Sequence, residues 1–411
     1  MTRSRMSKFR HGPDLQRDCA QAALEIAASV RVHHEDGSLR GAAGALLLHH
    51  ALGKDAPSVS GALRKSWEES VISCVTETDP SFDGGSPGAS WALAVLDRHP
   101  SALQSIDAAV LDLLTEIPWD GGLGTLSGGL ASYALYGYAR RHTKAGTAIL
   151  RMCVQHMAGL ATRSNEEVRW FIESDMVLGA STKRRRKQET SIKLLNMEAS
   201  AAIVASLALA LKGGVGDAKV LLERGALTLA NDVRAQSSDL IGVPTFHPVP
   251  GTLHGSATWA EGSAGAAAAL LSATSALAST QVREACIAFG RDVANLDPLA
   301  SHARDASLAS GSSGIACVLH AYAEATGQNL FKLAAEHWFR RSLSSRSRKA
   351  TKLDAGFRYL DASRSTDQGG GVWAARPGFT EGATGTALAL LCAVDEHRNA
   401  AKSIVWPALG L

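Results

Sequence analysis

Gly378-Phe379-Thr380-Glu381-Gly382-Ala383-Thr384-Gly385 runs directly into Thr386-Ala387-Leu388-Ala389-Leu390, so a G-x-x-G turn opens an alanine- and leucine-rich helical stretch. The pattern recurs at Gly41 to Gly44 before Ala45-Leu46-Leu47-Leu48, and at Gly85 to Gly88 before Trp91-Ala92-Leu93. It recurs again at Gly262 to Gly265 before Ala266 to Leu271, and at Gly311 to Gly314 before Ile315-Ala316. Two copies are degraded: Thr125-Leu126-Ser127-Gly128 runs into Gly129-Leu130-Ala131, and Ala199 to Ala202 into Ile203-Val204-Ala205. Openings at steps of roughly 40 to 75 residues mark a repeat architecture, in which a unit that cannot bury its own apolar face stacks on its neighbours. Each step holds a second helical stretch, at 13–32, 61–76, 102–115, 144–161, 218–232, 282–297 and 330–343, which makes seven helix pairs.

Composition agrees with an all-α chain. Of 411 residues 45% are hydrophobic, 5% aromatic and only 12 are proline, and abundant alanine favours closely packed helices over strands. Length alone suggests two or three domains, but a closed ring of helix pairs is one domain of whatever length its repeats require. The expectation is therefore a single domain over 1–411, with a basic inter-repeat insertion at 163–191.

A formal charge of +3 implies no polyanionic partner for the chain as a whole. Local charge is different: Lys183-Arg184-Arg185-Arg186-Lys187 is either a solvated loop or a docking patch for an acidic peptide segment. No aromatic residue interleaves the run, which argues against nucleic acid. Met1 to Lys8 is basic with no apolar stretch behind it, and 263–279 is too short and too weakly apolar to span a bilayer. A cytoplasmic protein is expected. Six cysteines lack C-x-x-C spacing, so neither a disulfide framework nor a zinc ribbon is indicated. Cys317 and His320, three residues apart, read as core packing rather than the start of a metal site.

The last three turns carry a resemblance to the LanC-like lanthionine cyclases that extends over most of the chain. Trp259-Ala260-Glu261-Gly262-Ser263-Ala264-Gly265 resembles the family's W-C-x-G-x-x-G turn. Leu308-Ala309-Ser310-Gly311-Ser312-Ser313-Gly314 resembles L-C-H-G-x-x-G, and the stretch from Gly378 to Gly385 resembles the closing G-L-M-x-G-x-x-G. The resemblance implies an α/α toroid (barrel) of seven helix pairs, with the glycine turns leading into the inner helices. Glycine would serve there by permitting close backbone approach and by tolerating positive φ. Aligned inner-helix N-termini would then turn unsatisfied amides and positive dipole ends toward one mouth, which favours anions and enolates.

In the family, two cysteines and a histidine bind zinc, which deprotonates a substrate cysteine. Here those positions hold Ala260, Ala309 and Ser310, so no metal or other cofactor is expected. The family's acid/base histidine falls on or near Glu198, its upstream arginine on about Ser256, and its aspartate is matched approximately by Asp120.

Three readings compete. The first is a zinc-independent cyclase that adds peptide cysteine thiols to dehydroalanine or dehydrobutyrine, with Glu198, Glu261, Asp120, His254 and Glu381 as candidate acids and bases. The second is a non-catalytic subunit that binds a precursor peptide through Lys183 to Lys187, and through Trp259, for partner enzymes. Either reading implies a precursor peptide and a companion dehydratase or kinase/lyase, because no phosphate loop is present. The third is a glycan or terpenoid toroid enzyme using carboxylates such as Asp83, against which the turn sequences argue. Glu261 and Glu381 could also simply stabilise helix N-termini, and Trp259 could be a packing anchor.

Overall fold

The computed structural model describes residues 10–411 apart from 31–35, 77–78, 80, 117–128, 165, 174–192, 196, 238–242, 245–254, 261, 300, 348–353 and 366–370. Fifteen α-helices are found among the described residues. Seven form an inner set: α2 (Ala42–Leu52), α4 (Ser86–Val95), α6 (Leu130–Ala139), α8 (Met197–Lys212), α10 (Ser263–Ala276), α12 (Ser312–Thr326) and α14 (Ala383–Cys392). Each packs on the next, and α14 packs on α2, which closes the ring. The fold is an all-α toroid.

The outer helices follow their inner partners in the chain: α3 (Gly61–Cys74), α5 (Pro100–Glu116), α7 (Lys144–Gly159), α9 (Ala218–Ser237), α11 (Thr280–Ala294), α13 (Asn329–Ser344) and α15 (Arg398–Ala408). Helix α1 (Pro13–Ser29) is an eighth outer helix, packed on α14 and α13, so the start of the chain laps over its end. The seven expected second stretches are present as α1, α3, α5, α7, α9, α11 and α13, and α15 was not anticipated. Its Ala401, Ile404, Val405 and Ala408 are buried at a helical spacing.

Inner and outer helices differ as their surroundings demand. Residues Ser263 to Ala273 of α10 are all buried, and so are all residues of α14, because these helices have neighbours on every side. Outer helices bury one stripe, such as Val282, Ala285, Cys286, Phe289 and Val293 of α11. Cys317 and His320 lie in the core, and the His320 ring hydrogen-bonds through Nδ1 to His11 Nε2 at 2.9 Å, which ties the segment before α1 to α12. All six cysteines are free and buried.

The glycine turns act by close approach. A Cβ at Gly385 would fall 1.6 Å from the Phe379 carbonyl oxygen, one at Gly314 2.0 Å from that of Leu308, and one at Gly88 1.8 Å from that of Phe82. In each case the chain folds back six residues to lie across the start of the helix. Positive φ is not used there: Gly311 has φ −119° and Gly382 φ −160°, and among the described residues of these turns only Gly129, in the degraded third one, takes a positive φ, 63°.

Adjacent turns are joined by backbone hydrogen bonds. Ala260 N donates to Ala309 O at 3.0 Å, Ala309 N to Thr380 O at 2.9 Å, Phe379 N to Leu39 O at 3.0 Å, and Arg40 N to Asp83 O at 3.2 Å. The fifth, sixth, seventh, first and second turns are thereby clasped around one end of the ring. Among the described residues the segments between repeats contribute four two-stranded hairpins, not anticipated from the sequence. One of them pairs β7 (Tyr359–Ser365) with β8 (Gly371–Ala374) and is tied to the sixth turn by Leu360 N, which donates to Asp305 Oδ2. No helix among the described residues is long and apolar enough to cross a membrane.

Substituting Gly385 by Ala should destabilise the protein by about 1–3 kcal/mol, because the Phe379 carbonyl is backbone and cannot swing away. Gly61, at the exposed start of α3 with nothing within 4 Å of its absent Cβ, is the control. Gly61→Ala should be neutral or stabilising by up to about 1 kcal/mol. Chemical denaturation of both variants checks this pair.

Candidate functional site

The clasped turns put a small set of polar side chains at the mouth of the ring. Glu381 precedes Gly382, the N-cap of α14. Its Oε1 accepts the Ser310 hydroxyl at 2.7 Å and its Oε2 lies 3.4 Å from the Ser307 hydroxyl. The two serines come from the sixth turn, some seventy positions earlier in the chain, and are brought to Glu381 by the Ala309–Thr380 backbone bond.

Two further carboxylates flank this cluster. Asp305 Oδ1 accepts Ser307 N at 2.8 Å, and its Oδ2 accepts Leu360 N at 3.0 Å from the base of β7. Asp83, from the second turn, accepts Thr380 N at 3.2 Å through Oδ1 and Arg40 Nε at 3.0 Å through Oδ2. Both aspartates are buried.

Burial pushes the Glu381 carboxyl up to about 7, and the negative charges of Asp305 and Asp83 push the same way. The Ser310 hydrogen bond and the Arg376 charge pull it down without prevailing. A carboxyl with this affinity for protons can both take and give one near neutral pH.

The other expected site residues fare differently. Asp120, His254, Glu261 and the run from Lys183 to Lys187 lie outside the described residues. Glu198 falls in the first turn of α8, and its side chain is likewise outside them. Trp259, read as a peptide contact or a packing anchor, is buried at 2% exposure, and its indole N–H donates to Leu409 O at 3.0 Å. It anchors the fifth turn to the end of the chain. The side chains of Asp305, Ser307 and Arg376 were not singled out from the sequence; no local motif marks them, because their common property is spatial.

The three positions that hold zinc in the resembled family do not fit a metal here. Ala260 and Ala309 present no donor atom, and the hydroxyl of Ser310 is directed to Glu381. Among the described residues the one group at metal-ligand spacing is Asp55, Glu396 and His397. It sits beyond the C-terminal end of α2, at the other end of that helix from the clasped turn.

Comparison with known proteins agrees with this fold. Residues 242–409 match the family model of lanthionine synthetase C-like proteins. Among solved structures, nisin cyclase superposes with a TM-score of 0.64 at 12% sequence identity, over 97% of this chain and 98% of that one. No curated protein matches by sequence. The matched region carries the last three turns and Glu381, and over it the chain is similar to lanthionine synthetase C-like proteins. The likeness to nisin cyclase extends the toroid fold across the whole chain.

Because the folded-state affinity of Glu381 for a proton exceeds its ordinary value of 4.5, its contribution to stability is complete below about pH 4.5 and is lost as pH rises through about 7. Glu381→Gln removes this term. The fall in Tm between about pH 5 and about pH 8 should be smaller in the variant than in the wild type; equal falls would contradict the protonation state assigned here.

Proposed function

We propose that this protein closes thioether rings in a ribosomally made peptide, adding cysteine thiols to dehydroalanine or dehydrobutyrine without zinc. The observation that carries the reading is Glu381, a carboxyl able to exchange protons near neutral pH, at the helix N-termini where the family places its chemistry.

The reaction needs a base for the thiol and an acid for the α-carbon. One carboxyl can serve both. Ionised Glu381 takes the S–H proton as sulfur bonds to the β-carbon and the C=C π pair moves onto the conjugated carbonyl. The same carboxyl returns the proton to the α-carbon as the enolate collapses. One S–C and one C–H bond form, one S–H and one C=C π bond break, and Glu381 ends as it began. The positive ends of the inner helices and the Arg376 charge favour the enolate oxygen. A free thiol is already a few per cent ionised at pH 7, so a metal is helpful rather than obligatory for such an electrophile.

The electrophile arises by dehydration of serine or threonine, so a dehydrating partner acts first. The basic run from Lys183 to Lys187 is assigned to holding an acidic part of the precursor. Glu198, Glu261, Asp120 and His254 remain candidates for the same mouth. The alanines at 260 and 309 favour one second reading, a peptide-holding subunit with no chemistry of its own.

On a dehydrated precursor, Glu381→Gln should slow ring closure at least about 100-fold, and Ser310→Ala about tenfold, with peptide affinity largely kept. Thiol alkylation followed by mass spectrometry reads both. Closure by Glu381→Gln at the wild-type rate would remove Glu381 from the mechanism. Binding by the wild type with closure no faster than in its absence would leave the peptide-holding reading.

A further inference from the structure

The two carboxylates beside Glu381 are immobilised by backbone amides of the turns that carry the site. Asp83 grips Thr380, the residue immediately before Glu381. Asp305 grips Ser307, whose hydroxyl faces Glu381 Oε2, and its own carbonyl accepts Ser312 N at 2.9 Å, so it also shapes the start of α12. Gly311 leaves it room, since a Cβ there would stand 2.6 Å from Asp305 Oδ1. The second Asp305 oxygen, on Leu360 N, joins the β7–β8 hairpin to the same point.

The charges around Glu381 are unbalanced. Asp305, 4% exposed, receives amide donors on both oxygens and has no ion-pair partner among the described residues. Asp83 is paired with Arg40, but that side chain is 60% exposed, so water weakens its compensation. Arg376 is the cation whose field acts directly on Glu381, against two buried anions. Beside two buried carboxylates and one cation, the field at Glu381 is net negative and favours the protonated form of its carboxyl.

We infer that Asp83 and Asp305 are positioning residues for Glu381: two fixed carboxylates that hold the turns bearing it and strengthen the hold of its carboxyl on a proton once taken. In cyclisation they touch neither thiol nor dehydroamino acid. They ensure that the proton taken from the thiol is bound strongly enough to be held while the S–C bond forms. This rests on the assignment of Glu381 as the proton carrier.

The test uses the full chain without substrate. The Glu381 carboxyl resonance, identified by its loss in Glu381→Gln, is titrated by carbon-13 NMR of protein labelled at glutamate. Asp83→Asn and Asp305→Asn should each lower its midpoint by about 1 unit, and Arg376→Gln should raise it. Asp83→Asn keeps an oxygen for Thr380 N, so it carries the test if Asp305→Asn, whose amide must face one of two N–H donors, does not fold. An unmoved midpoint in Asp83→Asn, or a shift of the same sign in all three variants, overturns the inference, because a merely structural role has no reason to change sign with charge. Ring closure is assayed in parallel to separate the two claims. Opposite shifts without accelerated closure would keep the electrostatic assignment and sink the cyclase reading. Accelerated closure with an unmoved midpoint would do the reverse.

Discussion

The structure depends on a steric constraint at the second glycine of three of the five intact turns. At Gly88, Gly314 and Gly385 a backbone carbonyl six residues upstream occupies the space of a Cβ. Only glycine lets the chain cross its own helix start so closely, and that crossing presents the residues between to the neighbouring turn. The bonds from Ala260 to Ala309, Ala309 to Thr380, Phe379 to Leu39 and Arg40 to Asp83 follow from it. The inner helices below, buried on all faces and rich in alanine, can then approach closely enough for α14 to meet α2. Ring closure is a property of the turns as much as of the helices.

The same turns build the site. Glu381, Ser307, Ser310, Asp305 and Asp83 belong to three turns that are remote in sequence and adjacent in the ring. Aligned helix N-termini alone would favour an ionised carboxylate at Glu381. Burial, with two neighbouring carboxylates, overcomes that preference and holds the group near neutrality. The alanines at 260 and 309 remove the donors on which the resembled zinc centre depends. Ser310, at the third of those positions, hydrogen-bonds Glu381 instead.

The sequence made the architecture readable where a local constraint repeats. Five intact G-x-x-G turns and alanine-rich stretches identified the inner helices, and the closing turn pointed to Glu381. Helix α15 escaped notice because it lies beyond the last turn, where no following repeat frames it. The hairpins escaped because short paired strands carry little pattern. The Glu381 cluster was legible only in part: whether a glutamate at a helix start caps or catalyses depends on its burial and its neighbours, and Asp305 and Ser307 reach it from about 75 positions away, with no motif of their own. Trp259, weighed as a peptide contact or a packing anchor, is buried with its indole on Leu409.

The account is tested most directly by the rate of thiol consumption in a dehydrated precursor peptide, with and without the protein and with a strong chelator present throughout. Consumption faster than the spontaneous rate and unchanged by the chelator is the predicted result. Acceleration abolished by the chelator and restored by zinc, or no acceleration at all, would contradict it.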